Sequence, residues 1–172
     1  AETYPVLSPD APAASAINAR IASAIGEAER NFLDEAEKAA ELELHAPWEF
    51  AVAWTLSEYS GDRFSALLEI YAYTGGAHGS TTLVPVNFDA GAGTEILLAD
   101  LWKASSKGGT AAENGWTDWL DWLEALSAAA RPLLAAELER TAQAVPDAAW
   151  LEAGTAPEEA NFRIFTLKKD AV

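Results

Sequence analysis

Trp48-Glu49-Phe50-Ala51-Val52-Ala53-Trp54-Thr55-Leu56-Ser57-Glu58-Tyr59, then Ser60-Gly61-Asp62, then Arg63-Phe64-Ser65-Ala66-Leu67-Leu68-Glu69-Ile70-Tyr71-Ala72-Tyr73, is the stretch whose reading decides the fold. Successive side chains of an extended chain point to opposite faces, so an apolar period of two marks a half-buried strand. In the first run Phe50, Val52, Trp54 and Leu56 fall on one side. In the second Phe64, Ala66, Leu68, Ile70 and Ala72 do, with Leu67, Tyr71 and Tyr73 on the other. A short link containing glycine between two such runs is a hairpin signal. The pair therefore reads as two antiparallel strands.

Upstream, Tyr4-Pro5-Val6-Leu7 reads as an extended lead-in, and Ser8-Pro9-Asp10 prepares a helix expected to start near Ala11 with Pro12 in its first turn. Ile17, Ile21, Ile25, Ala28, Phe32, Ala36 and Ala39 then recur in steps of three and four, with Arg20, Glu27, Arg30, Glu35, Lys38 and Glu41 on the other face. This stripe is that of one long amphipathic helix packed on a sheet, ended by Pro47 at the latest. Downstream of Gly75-Gly76-Ala77-His78-Gly79, residues 81–88 read as a third strand, and a glycine-rich turn leads to a fourth at 94–98. Leu98, Leu101 and Trp102 suit a short helical turn, and the Ser-Gly-rich residues 105–109 suit a loop. Trp119, Leu123, Leu126, Ala130 and Leu133 are helically spaced, but Pro132 inside them predicts a kink or two abutting helices. Residues 161–167 read as a last strand.

The expectation is an α+β fold: an antiparallel sheet of about five strands, with the long N-terminal helix and the Trp-rich helical region packed on it. Residues 1–73 would form a first subdomain and 74–172 a second, beginning at the Gly-Gly-Ala-His turn, within one compact unit.

Charge removes several function classes. The chain has 11 basic and 27 acidic side chains and a formal charge of -16, which opposes binding to a phosphate backbone or an anionic lipid surface. No apolar run approaches the ~20 residues of a membrane span. Cysteine is absent, so there is no disulfide framework, no thiolate nucleophile and no zinc knuckle. Methionine is absent too, so Ala1 is not an initiator position, and the opening suits a chain whose targeting segment lies outside the sequence.

Four features are candidates to carry chemistry. Gly75, Gly76 and Gly79 around His78 would let backbone approach a ligand, with the imidazole as base or ligand; a tight turn with the ring bonded to nearby backbone explains the same residues. The turn lacks the lysine of a phosphate loop. His45, near the end of the first helix, suits the negative end of the helix dipole, and two histidines without cysteine predict no metal and no cofactor. Trp116, Trp119 and Trp122, interleaved with Asp118 and Asp121, form the most suggestive cluster. Tryptophan faces stack on sugars and paired carboxylates hydrolyse glycosides, yet steps of three also suit core anchoring, and carboxylates are favoured in a first helical turn. Ser57, Ser60, Ser65 and Ser80 lie in no nucleophile elbow. The chain is expected not to be an enzyme.

The segment Tyr71-Ala72-Tyr73-Thr74-Gly75-Gly76-Ala77-His78-Gly79 resembles the paired domain of the RsiV-type ectodomain family, also found in the non-catalytic part of PdaC-type peptidoglycan deacetylases. Tyr4-Pro5 with Ile17-Asn18, Asn87-Phe88-Asp89 through Gly93-Thr94 to Leu98-Ala99-Asp100-Leu101-Trp102, and Asn161-Phe162 with Phe165-Thr166-Leu167 are similar to it in order and spacing. The family pattern continues into a further aromatic-rich strand and a Val-Ala-Pro-Tyr-like segment that this sequence lacks. The resemblance implies a periplasmic or extracellular location, with anchoring through a segment outside the chain. It implies a binding or sensing domain of the bacterial envelope, whose ligand is a basic, lysozyme-like protein or a peptidoglycan fragment. Its alternative is an accessory domain of a peptidoglycan-modifying enzyme such as a polysaccharide deacetylase.

Overall fold

The computed structural model describes residues 4–41, 47–75, 77–107, 118–142 and 147–169. The chain divides into two units, one of Ala1–Ile96 with Thr166–Val172 and one of Leu97–Phe165. The boundary expected at Tyr73 falls instead between two strands that pair along ten positions within the first unit.

In the first unit, helix α1 spans Ala14–Glu41. It starts three residues later than the sequence suggests, because Ser8 to Ala13 form turns: Ala11 N donates to Ser8 O (2.9 Å), Ala14 N to Ala11 O (3.1 Å), and Ala13 takes a left-handed φ of 55°. A left-handed residue cannot be part of a right-handed helix, so α1 begins after it. The lead-in is latched to the helix by Asn18, whose Oδ1 accepts from Leu7 N (2.9 Å) and whose Nδ2 donates to Leu7 O (3.0 Å). One side-chain amide thus does for Leu7 what a neighbouring strand would do.

Strands β1 (Glu49–Tyr59), β2 (Arg63–Tyr73), β3 (Ser80–Asp89) and β4 (Thr94–Glu95) form an antiparallel sheet in that order. The hairpin closes where Ser60 N donates to Arg63 O, 2.9 Å. The register sets Phe64 beside Phe88 and Ala66 beside Val86, so the expected alternation becomes one buried face of Phe64, Ala66, Leu68, Ile70, Val86 and Phe88. Against it pack Ile17, Ile21, Ala24 and Ile25 of α1. Pro85 sits within β3 opposite Leu67, and β4 reaches only Phe88 and Asp89, so no neighbouring strand asks for the missing N–H on that side. Arg20 Nε on α1 donates to Glu95 Oε1 of β4 at 2.8 Å.

Among the described residues the sheet has four strands rather than about five. Residues 159–162 form a short helix after Pro157, with Glu159 in its first turn, and Asn161 Nδ2 donates to Ala153 O and Ala156 O, both at 3.1 Å. Those bonds consume the start of the expected strand. Further on, Leu167 N donates not to a backbone ladder but to the buried Ser65 Oγ (2.8 Å), which itself donates to Asn87 Oδ1 (2.7 Å).

The second unit contains α2 (Leu98–Lys107), α3 (Trp119–Ala142), α4 (Ala148–Gly154) and α5 (Glu159–Phe162). Asp118 Oδ1 accepts from Leu120 N (2.8 Å) and Asp121 N (3.0 Å), so it caps α3. The helix continues through Pro132 as one element, so of the kink or the two abutting helices expected there, the two-helix form is not what the structure has. Pro132 is exposed, and the turn that ends at it is anchored from the side: Arg131 Nε donates to Thr155 Oγ1 (2.9 Å), and buried Ser127 Oγ donates to Thr155 O. These contacts offset the one backbone bond that proline removes. The core joins Leu98, Trp122 and Leu123 to Leu101, Trp102, Trp119, Leu126, Phe162 and Phe165.

Two outcomes follow. Ser65→Ala removes the partner of Leu167 N and one partner of Asn87 in a dry position, so chemical denaturation should show a loss of about 1–3 kcal/mol. Asp100 accepts from Leu97 N at the start of α2 and from Lys103 Nζ, and these bonds, the first above all, hold its carboxyl below the ordinary 3.8. A depressed folded pKa gives stability that is present above about pH 3.8 and lost as pH falls through the folded value. The difference in melting temperature between the chain and Asp100→Asn should therefore be visible at neutral pH and shrink as pH falls below about 3.8.

Candidate functional site

Where α1 passes over the far ends of β2 and β3, the facing side chains shorten. Ala24 and Ala28 on the helix meet Ala72 and Ser80 on the strands, and side chains this small cannot fill the gap between a helix and a sheet. A cleft of about 420 Å³ results, within the size range of small-ligand sites. Its apolar wall is Phe32, Phe50, Ile70 and Val84, and the Phe32 and Phe50 rings lie 5.3 Å apart, tilted by 41°. Its polar lining is Arg20, Glu27, Asn31 and Glu35 from α1 and Ser80 and Thr82 from β3. Arg20 is committed to Glu95, whereas Glu27 and Glu35 make no ion pair among the described residues.

Glu27 and Glu35 are eight positions apart on one helix, about 12 Å along its axis, whereas the carboxyls of a retaining glycosidase stand about 5–5.5 Å apart. No histidine lines the cleft among the described residues. Among the described residues, no group of three or more His, Cys, Asp or Glu side chains could hold a metal ion.

Of the candidate site residues singled out from sequence, none of the described ones lines the cleft. Gly75 has φ 96°, which explains glycine at that turn. His78 is exposed, its Nδ1 3.1 Å from the Gly79 carbonyl oxygen. Gly79 lies under Tyr71: a Cβ there would stand 2.4 Å from ring atoms. Gly76, His45 and Trp116 lie outside the described residues. Trp119 and Trp122 belong to the second unit, stacked at 5.2 Å and 25°, with Trp102 6.5 and 6.4 Å away to complete the cluster. Trp122 is only 8% exposed, which leaves its ring no open face for a sugar. Sequence reasoning missed the cleft because its signal, small residues on a core stripe, is the same as that of close packing.

His78→Ala should change the unfolding free energy by no more than about 0.5 kcal/mol, the usual range for an exposed position. Gly79→Ala should lower the melting temperature clearly, since Tyr71 must move. Thermal denaturation of the two variants side by side checks both.

Residues 2–81 match the family model described as Deacetylase PdaC, somewhat under half of the 172-residue chain. No curated protein matches the chain significantly. The matched segment carries α1, the β1–β2 hairpin and the first residues of β3, and every residue lining the cleft except Thr82 and Val84 falls inside it. The chain's similarity to the deacetylase family and its cleft thus lie in the same segment.

Proposed function

We propose that this chain is a non-catalytic module of the cell envelope, an accessory region of a deacetylase-type protein that holds a segment of cell-wall glycan in the cleft between α1 and the sheet. The observation that carries this reading is that the cleft is built almost wholly from the segment similar to the PdaC deacetylase family. The chemistry of the lining supports it. A glycan alternates apolar ring faces with hydroxyls and amides; Phe32 and Phe50 supply an aromatic wall for the first, and Asn31, Ser80, Thr82 and the two free carboxylates supply partners for the second. A location outside the cytoplasm follows from such a ligand.

The RsiV-type alternative, in which the ligand is a basic, lysozyme-like protein, draws on the formal charge of -16. Salt separates the two. Calorimetric titration with soluble peptidoglycan fragments should show binding that is nearly unchanged between low salt and about 0.3 M, over which screening of exposed charges changes strongly. Asn31→Ala and Phe50→Ala should each weaken it about tenfold while the fold is retained. No binding of the fragments, or unaltered binding by both variants, would contradict the cleft reading. Binding to lysozyme alone, falling steeply with salt, would replace it with the sensor reading.

A further inference from the structure

The helix side of the cleft consists of two rows of side chains, each stepping by four along α1. Ala24, Ala28 and Phe32 form the inner row, buried or half-buried, and Glu27, Asn31 and Glu35 form an exposed rim. Steps of four keep side chains on one face, about 6 Å apart along the axis. The rim therefore alternates carboxylate, amide and carboxylate. Across the cleft stand the neutral hydroxyls of Ser80 and Thr82. Among the described residues Arg20 is the only cation in the lining, and its Nε already donates to Glu95 Oε1 at 2.8 Å. Glu27 and Glu35 make no ion pair among the described residues. The lining is thus rich in acceptors and carries two negative charges that its one described cation does not pair.

Building on the reading of this cleft as a glycan site, we propose that it selects a glycan whose sugar nitrogens are free amines rather than acetamides, the product a deacetylase leaves behind. Hydrolysis of a sugar acetamide consumes one water, releases acetate and leaves an amine on the ring, which is an ammonium near neutral pH. The two forms make opposite demands on a site. An acetamide brings a carbonyl oxygen that needs a donor, and a carboxylate has none to offer. An ammonium brings three donors and a positive charge, which carboxylates, the Asn31 amide oxygen and the facing hydroxyls all accept. The spacing adds a requirement for length. Glu27 and Glu35 are about 12 Å apart along the helix axis, so they meet different sugars of one chain.

Calorimetric titration of the full chain with a glucosamine tetramer and with the same tetramer fully N-acetylated reads the preference. An exposed ion pair changes affinity a few-fold at most, so two of them should make the amine form bind about tenfold more tightly in low salt. Raising salt to about 0.3 M should shrink that advantage and hardly alter the acetylated tetramer. Glu27→Gln combined with Glu35→Gln should remove the advantage, with the circular dichroism spectrum unchanged because both positions are exposed. Glu29→Gln combined with Glu37→Gln makes the same charge change at the same spacing on exposed positions of α1 outside the cleft lining, and should preserve it. Phe50→Ala should weaken both tetramers, since an aromatic wall meets sugar rings whatever their nitrogen carries. Equal or tighter binding of the acetylated tetramer, an advantage that survives the first pair of substitutions or is lost equally with the second, or equally tight binding of tetralysine would each overturn the proposal. The cleft itself would still stand as a glycan site if Phe50→Ala weakened the acetylated tetramer. Binding of neither tetramer would overturn both readings.

Discussion

Ile17, Ile21 and Ile25 form a ridge four residues apart along one helix, and only a surface with a matching apolar row removes that ridge from water. The sheet supplies the row as Phe64, Ala66, Leu68 and Ile70 beside Val86 and Phe88. Burying this many large side chains is worth roughly 1.5–3 kcal/mol for each one. It also sets the register, since a slip of one residue in β2 would turn its whole apolar set to the other face. The latch of Asn18 on Leu7 and the Arg20–Glu95 pair then fix the two ends of unit 1 to a helix already placed. Both are modest by themselves.

The same contact explains the cleft. Isoleucines fill the interval between helix and sheet along the first half of α1, and alanines do not fill it further on. The Phe32–Phe50 pair marks the place where large side chains meet again. A cavity between them is thus a consequence of where the sequence spends its volume, and its polar rim comes from the helical positions next to the stripe. The buried polar pair Ser65 and Asn87 shows a complementary economy: two groups on the other face of the sheet satisfy each other and one backbone N–H of the returning chain end.

Periodicity made the hairpin, the third strand and the long helix legible, because each buries one face and the burial imposes the period. Nothing comparable marks the chain's end. Phe162, Ile164 and Phe165 look alike whether they sit in a strand or in a helix and an irregular tail, and the choice was made by Pro157 and the two carbonyls that Asn161 reaches, neither of which a pattern of apolar residues encodes. Pro132 is a different case. A local rule predicts a kink or two helices, and the chain stays one helix where Arg131 and Ser127 hold the turn through contacts 24 and 28 residues away in sequence. The Trp119–Trp122 step was visible as a cluster, but Trp102, its third member, is joined to it only by the fold. The cleft was invisible because alanine on a core face says nothing of what stands opposite.

The central claim is that the ligand of this chain sits between α1 and the sheet. Amide chemical-shift mapping by nuclear magnetic resonance during titration with soluble peptidoglycan fragments locates a ligand without altering a residue. The account predicts that the shifts concentrate at Asn31, Phe32, Phe50, Ser80 and Thr82. Saturable shifts confined to the second unit, around Trp102, Trp119 and Trp122, or no shifts at all, would contradict it.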